Sequence, residues 1–256
     1  MGRIISISNQ KGGVGKTTTA INLSSCIAEM GKKVLVIDSD PQGNTSSGFG
    51  IFKSDIKKTL YDLMSGDEEP SEVIMNVENI DNLFIIPTDI NLSGAEIELI
   101  NVDGREFILR EIVSKIKEDF DFIIIDCPPA LNLLTINALV ASNAVIVPLQ
   151  CEYYALEGLA QLMYTIDLVK KKLNTELVVE GVVFTMFDSR TNLSAQVVEE
   201  VKKYLDKDIY KSIIPRNVRL AEAPSHGMSI NLYDSRSTGA ESYRLLAAEV
   251  MSRGEG

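Results

Sequence analysis

Soft and imidazole ligands are scarce in this sequence, with three cysteines and one histidine among 256 residues. Cys26, Cys127 and Cys151 are far apart, odd in number and each set beside apolar residues. No zinc-binding spacing can be drawn from them, and they read as reduced, partly buried small hydrophobes of an intracellular protein. His226, in a Pro-Ser-His-Gly loop, reads as a turn residue rather than a ligand or a base. No apolar run approaches the roughly 20 residues that a membrane helix requires. Met1 leads straight into a strand pattern, so neither a signal peptide nor a membrane partner is expected, and the cytoplasm is the expected location. Positive charge is also short: 25 lysines and arginines face 36 acids, a net charge of -11. A surface that is basic all round is thereby excluded, and any contact with nucleic acid must be local. Pro/Gly/Ser-rich linkers, repeats and low-complexity segments are missing too, which favours a single domain over residues 1–256.

What the sequence does contain is alternation. Apolar runs rich in Ile and Val lie at Ile4 to Ser8, Lys33 to Ile37, Leu83 to Pro87, Phe122 to Ile125, Ala144 to Pro148, Leu177 to Phe184 and Ser212 to Ile214. Such runs suit strands buried on both faces. Helical patterns fall between them: Thr17 to Met30, Gly104 to Glu118, Leu131 to Ala141, Ala155 to Lys172, Asn192 to Leu205 and about Ala240 to Met251. This order predicts an α/β fold, a doubly wound and mostly parallel sheet with helices on both faces. Residues 43 to 80 are the least regular, and a mobile loop with one short helix is expected there.

Three stretches carry chemistry. In "NQKGGVGKTTTAINL", Asn9 to Leu23, the end of a phosphate-binding loop follows a strand and opens a helix. The usual pattern places glycine five positions before Gly15, where this chain has Gln10, and a second lysine, Lys11, sits inside the loop. Gly12, Gly13 and Gly15 let backbone N–H groups, including those at Val14 and Thr18, turn toward phosphate oxygens. Lys16 can neutralise phosphate charge and Thr17 can offer its hydroxyl to Mg²⁺. In "VLVIDSDPQGN", a strand delivers Asp38 and then Asp40 to the C-terminal edge of the sheet, where ligands of open α/β folds collect. Asp40 could orient an attacking water or sense Mg²⁺; the alternative is that both aspartates cap loop N–H groups. In "FDFIIIDCPP", Asp126 reaches the same edge as a Walker B carboxylate that holds the Mg²⁺ shell.

Together, "KGGVGKTT", "DSDPQGN", "IIIDCPPAL", "QCEYYALEGL" and "IPRNVRLAEAPSHG" resemble the ParA/MinD branch of P-loop ATPases with its deviant Walker A motif, and more narrowly its chromosomal ParA members. The resemblance runs from Ile4 to about Tyr243. It implies a slow ATPase with ATP and Mg²⁺ as cofactors, and a sandwich homodimer in which Lys11 reaches the partner's phosphates and Gly12 lies at the interface. It places adenine against Pro215 and Asn217, with Met186 as a further contact. It implies that the ATP dimer binds DNA without sequence specificity and associates with the nucleoid. Arg190, Arg216 and Arg219 are the candidate phosphate contacts, with Arg236 and Lys211 as further candidates; ordinary solvated arginines are the alternative. A ParB-type partner would stimulate hydrolysis, and a replication initiator would be a further partner. Segregation, replication-initiation control and sporulation control stand as alternative outputs. Operator-specific repression is not expected, because no helix-turn-helix precedes the first strand. The rival readings are a MinD-like membrane-associated ATPase, an iron-sulfur ATPase and a scaffold without useful turnover. The first would need a basic amphipathic C-terminal helix, whereas this chain ends "AAEVMSRGEG". The second would need cysteines placed to share a cluster, and stimulated ATPase rates would separate out the third.

Overall fold

The computed structural model describes residues 2–66, 68–152, 155–205 and 208–254, with the backbone alone at Tyr204. Tyr153 and Tyr154 of the "EYYALEGL" motif lie outside the described residues. Seven strands form one sheet: β1 (Arg3–Ile7), β2 (Val34–Asp38), β3 (Met75–Asn76), β4 (Leu83–Ile86), β5 (Phe122–Asp126), β6 (Ala144–Gln150) and β7 (Val178–Thr185), in the order β3-β4-β2-β5-β1-β6-β7. Every pairing is parallel except that of β3 with β4. The helices are α1 (Lys16–Glu29), α2 (Asn44–Gly48), α3 (Leu60–Met64), α4 (Pro70–Val73), α5 (Leu92–Glu98), α6 (Ile108–Ser114), α7 (Leu133–Ala141), α8 (Ala155–Lys172), α9 (Asn192–Tyr204), α10 (Val218–Glu222), α11 (Ile230–Tyr233) and α12 (Thr238–Arg253).

The central strands alternate between two cores, as a period of two requires. Val34, Val36, Phe122 and Ile124 face one core with Leu23 and Ile27 of α1 and Leu246 and Val250 of α12. Leu35, Ile37, Ile123 and Ile125 face the other with Leu109 and Val113 of α6 and Leu134 of α7. Burial on both faces explains why these strands read as unbroken apolar runs. The register sets Ile7, Asp38 and Asp126 side by side at one end of the sheet.

Three expectations from the sequence are corrected. Ser212 to Ile214 is no strand: the backbone N–H groups of Lys211 and Ser212 donate to Glu249 at 2.9 and 3.1 Å rather than to the sheet. Single backbone bonds, such as Ile214 N to Phe184 O at 2.8 Å, and the isolated bridges Val182 to Ile209 and Phe187 to Pro215 tie that segment to its neighbours. The helix expected over Gly104 to Glu118 is broken, because Asn137 intercepts its first turn. Its amide accepts from Leu109 N at 3.1 Å and donates to Arg105 O at 2.9 Å, the pair that would otherwise bond each other. Residues 43 to 80 hold α2, α3, α4 and β3 instead of one helix in a loop. Thr59 and Asp62 build a capping box that starts α3, and buried hydroxyls described below fix α2.

Among the described residues no helix is long and apolar enough to cross a membrane. The start of the chain and its last helix are joined by a buried polar cluster. Arg3 pairs with Glu180 at 2.8 Å, Tyr210 donates to Glu180 Oε1 at 2.6 Å, and the Arg253 guanidinium lies 4.1 Å from the centre of the Tyr210 ring. Burial still pushes the Glu180 carboxyl above its ordinary range, against the pull of Arg3. Removing the cation therefore leaves a charge with poor solvation. Arg3→Met is expected to cost roughly 3 kcal/mol in urea unfolding at neutral pH. The cost should shrink in acid, where Glu180 takes up a proton; an equal cost at both pH values would contradict this account.

Candidate active site

The loop between β1 and α1 is held from outside before it turns inward. Asn9 donates to Pro148 O at 2.8 Å and accepts from Lys11 N at 3.0 Å. Gln10, standing where a glycine was expected, donates to Gly158 O and Gln161 Oε1 of α8 at 3.2 and 2.9 Å. Its side chain is an anchor, which glycine could not be. Gly13 and Gly15 lie at φ 74° and 90°, a left-handed backbone that side chains resist. The Val14 carbonyl accepts from the Thr185 hydroxyl at 2.8 Å, so β7 fixes the middle of the loop. Gly12 differs from the other two, because its φ lies outside the left-handed region and a Cβ built there would meet nothing within 4 Å. The chain itself gives no reason for a glycine at that position.

Lys16 is only 6% exposed, and its ammonium donates to Lys11 O at 3.0 Å. Desolvation lowers its pKa, while Asp126 and Asp40 pull the other way. Asp126, buried at the end of β5, accepts two hydroxyls on Oδ2, from Thr17 at 2.8 Å and from Thr45 at 2.7 Å. Its Oδ1 is buried with no hydrogen-bond partner among the described residues. Burial pushes this carboxyl up to about 6 against those two hydroxyls. Asp38, beside it on β2, accepts from Ser46 N at 2.8 Å and Ser46 Oγ at 2.7 Å. Burial, and then the Asp126 charge, push Asp38 up to about 7.

A cavity of about 680 Å³ opens over the loop, lined by Gly12, Gly13, Lys16, Thr17, Thr18 and Asp40. Thr185, Met186, Pro215, Arg216 and Asn217 line it as well. Met186 is held at φ 49°, a costly conformation for a side chain of its size, where the chain leaves β7. Asp40 faces the cavity and accepts from Gln42 N at 3.0 Å on one oxygen; Asp38 is fully buried and caps Ser46. Capping is thus what Asp38 does here, and only part of what Asp40 does. Asn217 caps α10 through Leu220 N at 3.3 Å and donates to Thr238 at 2.8 Å, so only part of its amide remains available to a ligand.

The donor set fits a hard divalent cation held together with phosphate. It consists of the Thr17 hydroxyl, the unpartnered Asp126 oxygen and the Asp40 carboxylate, with no soft ligand. Cys26, Cys127 and Cys151 are buried thiols whose pKa values burial raises. Among the described residues no group of three or more His, Cys, Asp or Glu is assembled to hold a metal, so phosphate and water oxygens must complete the shell.

Lys11, Arg190 and Arg219 are predicted residues that do not line this cavity. The Lys11 ammonium pairs with Glu152 of the same chain. Arg190, 85% exposed, is chelated by Asp188 at 2.8 and 2.7 Å. Arg219 pairs with Glu222 at 2.9 Å and Asp234 at 3.6 Å. Arg216 is exposed beside the Arg190–Asp188 pair and helps to hold Asp188 below the usual carboxylate range. Lys211 and Arg236 are exposed, and His226 stacks on Tyr233. Sequence reasoning passed over Asn9, Thr45, Ser46 and Thr185. The one signal for two of them was the run of small hydroxyls, "NTSSG", directly after the aspartates.

A family model described as an AAA domain matches residues 2–179. The chain is 57% identical to the sporulation initiation inhibitor protein Soj of Bacillus subtilis (strain 168), over 99% of this chain and 100% of that protein. It is 53% identical to the chromosome partitioning protein ParA of Myxococcus xanthus (strain DK1622), over 99% of this chain and 89% of that protein. Among solved structures it is similar to cobyrinic acid a,c-diamide synthase from Mycobacterium smegmatis with bound ADP and magnesium. That match has a TM-score of 0.88 and 34% identity, covering 100% of this chain and 96% of the other. The same enzyme with an ATP analog and magnesium matches at the same TM-score and identity.

The buried aspartates give the site a pH signature. Native Asp38 keeps its proton up to about 7, whereas the unfolded carboxyl loses it near 3.8. The native state therefore binds the extra proton in that window, and its stability falls as pH rises through it. Asp38→Asn removes that slope. Relative to the unmodified protein, the variant should gain on the order of 4 kcal/mol between about pH 4 and pH 8. Urea unfolding of the nucleotide-free proteins checks this, and parallel pH curves would contradict it.

Proposed function

The chain belongs to the ParA/MinD family of P-loop ATPases, within its Soj/ParA branch, and from that premise we propose that it is a chromosome-partition switch built on ATP-dependent dimerisation. It is a ParA-type ATPase with ATP and Mg²⁺ as cofactors. The observation that carries the finer reading is the loop's division of labour. Gly12, Gly13, Gly15, Lys16 and Thr17 line their own cavity, whereas Lys11 does not, and nothing in the fold crowds Gly12. A second copy facing the loop accounts for both.

When bound, ATP with Mg²⁺ supplies the scissile phosphoanhydride and the cation that shields its charge. The backbone N–H groups from Gly12 to Thr18 wrap the phosphates, and Lys16 neutralises them from a site that desolvation strengthens. Thr17 and Asp126 hold the cation's shell. Among the described residues one Asp40 oxygen has no protein donor, and this oxygen orients water for attack. Met186, Pro215 and Asn217 receive the base. Lys11 leaves Glu152 and reaches the phosphates of the second subunit, where its charge stabilises the transition state.

In the dimer, Arg190 and Arg219 exchange exposed carboxylate partners for DNA phosphates, and Arg216 contacts the phosphates beside them. Exposed ion pairs are worth little, so the exchange is easy. Counterion release drives it, and two copies double the number of contacts. A ParB-type protein stimulates the slow hydrolysis and so releases the dimer from the nucleoid; a replication initiator is a further partner. Residues 1–256 act as one ATPase domain.

Three measurements test this reading. Lys16→Ala should lose nucleotide-dependent dimerisation together with ATP binding. Asp40→Ala should bind ATP normally, hydrolyse it about 100-fold more slowly and persist as a dimer in size exclusion; normal turnover would remove Asp40 from catalysis. For DNA, Arg190→Ala and Arg219→Ala should each weaken binding to unrelated sequences alike. Each should flatten the plot of log affinity against log salt by about one contact per subunit. Sequence-selective loss, or an unchanged slope, would count against phosphate contacts.

A further inference from the structure

Thr45 is completely buried, at 0% exposure, and could on packing grounds alone be a valine. Its hydroxyl instead donates at 2.7 Å to Asp126 Oδ2, the oxygen that also accepts Thr17 at 2.8 Å. The two threonines come from different segments, one opening α1 and the other within α2. We infer that Thr45 is a positioning residue for ATP hydrolysis, pinning the turn that carries Asp40 to the carboxylate that holds the metal side of the site; the inference rests on the ATPase reading above.

The geometry between Asp40 and Thr45 is short and stiff. Gly43 N donates to Asp40 O at 2.8 Å and Gln42 N to Asp40 Oδ1 at 3.0 Å, so the Asp40 carboxylate belongs to a closed turn. Thr45 follows directly, with Ser46 bonded to Asp38 at 2.7 Å and accepting from Thr88 N at 3.2 Å. Ser46 fixes α2 to a carboxyl that does not face the cavity. Thr45 alone fixes it to the carboxylate shared with Thr17. Whatever moves the Thr17 hydroxyl alters the load on Asp126 Oδ2, and Thr45 transmits that change to the Asp40 turn. A displacement of about 1 Å in a group that orients water is enough to cost up to 100-fold in rate.

The experiment compares Thr45→Val, Thr45→Ser, Asp40→Ala and the Thr45→Val/Asp40→Ala double variant with the unmodified chain, measuring kcat, KM for ATP and thermal midpoint. Thr45→Val should lower kcat by about tenfold to 100-fold with KM within about twofold. Thr45→Ser, which keeps the hydroxyl, should restore most of the rate. In the double variant, Thr45→Val should add little to the defect of Asp40→Ala, because both act at one point. An unchanged kcat in Thr45→Val overturns the proposal. So does a serine variant as slow as the valine one, or a full additional loss in the double variant. If the unmodified chain hydrolyses no ATP, the ATPase reading falls and takes this inference with it, an outcome distinguishable from the others by its control.

Discussion

The Asp126 carboxylate is a charge placed where water cannot reach it, and the arrangement of the catalytic edge follows from the need to solvate it. β5 delivers it between β1 and β2, and burial raises its pKa to about 6. A buried anion survives only with donors around it, and the chain supplies them from two directions, Thr17 from α1 and Thr45 from α2. Among the described residues the other Asp126 oxygen has no donor, which leaves that oxygen available to a cation. Beside Asp126, Asp38 is pushed up to about 7 by burial and then by the Asp126 charge, against the donors that cap it, so of these two adjacent carboxyls it is the one that keeps its proton.

Much of this was legible in the sequence, for physical reasons that differ from place to place. β2 and β5 were readable because strands buried on both faces must be apolar throughout, and both are. The phosphate loop was readable because a left-handed backbone demands glycine at Gly13 and Gly15. The failures share another cause, which is capture of the backbone by a distant side chain. Glu249 takes the Lys211 and Ser212 donors where a strand over Ser212 to Ile214 would have begun, and Asn137 takes the pair that would have started the helix at Gly104. Neither side chain lies near its target in sequence, and local pattern carries no trace of them. Thr45 and Ser46 were missed for a related reason: a buried hydroxyl looks like a surface one until its acceptor is known.

The candidate arginines illustrate how charge in an acidic chain is held in reserve. Arg190 and Arg219 are neither free nor buried; each is neutralised by carboxylates of its own chain. In water such pairs exchange readily, and a surface prepared this way presents little positive field until a denser line of anions competes for it. Lys11 and Glu152 follow the same logic at the phosphate loop. The net charge of -11 therefore does not oppose anion recognition so much as set a threshold for it.

The two margins of the sheet bear on how copies of this chain can meet. At one margin β3 runs antiparallel for only two residues. At the other, the segment beyond β7 is tied down by the side chain of Glu249 and by backbone bonds such as that of Ile214 N to Phe184 O. An edge that is short, or whose donors are already committed, gives a neighbouring strand little to zip onto. Among the described residues, both margins of the sheet therefore disfavour pairing with a strand of another molecule.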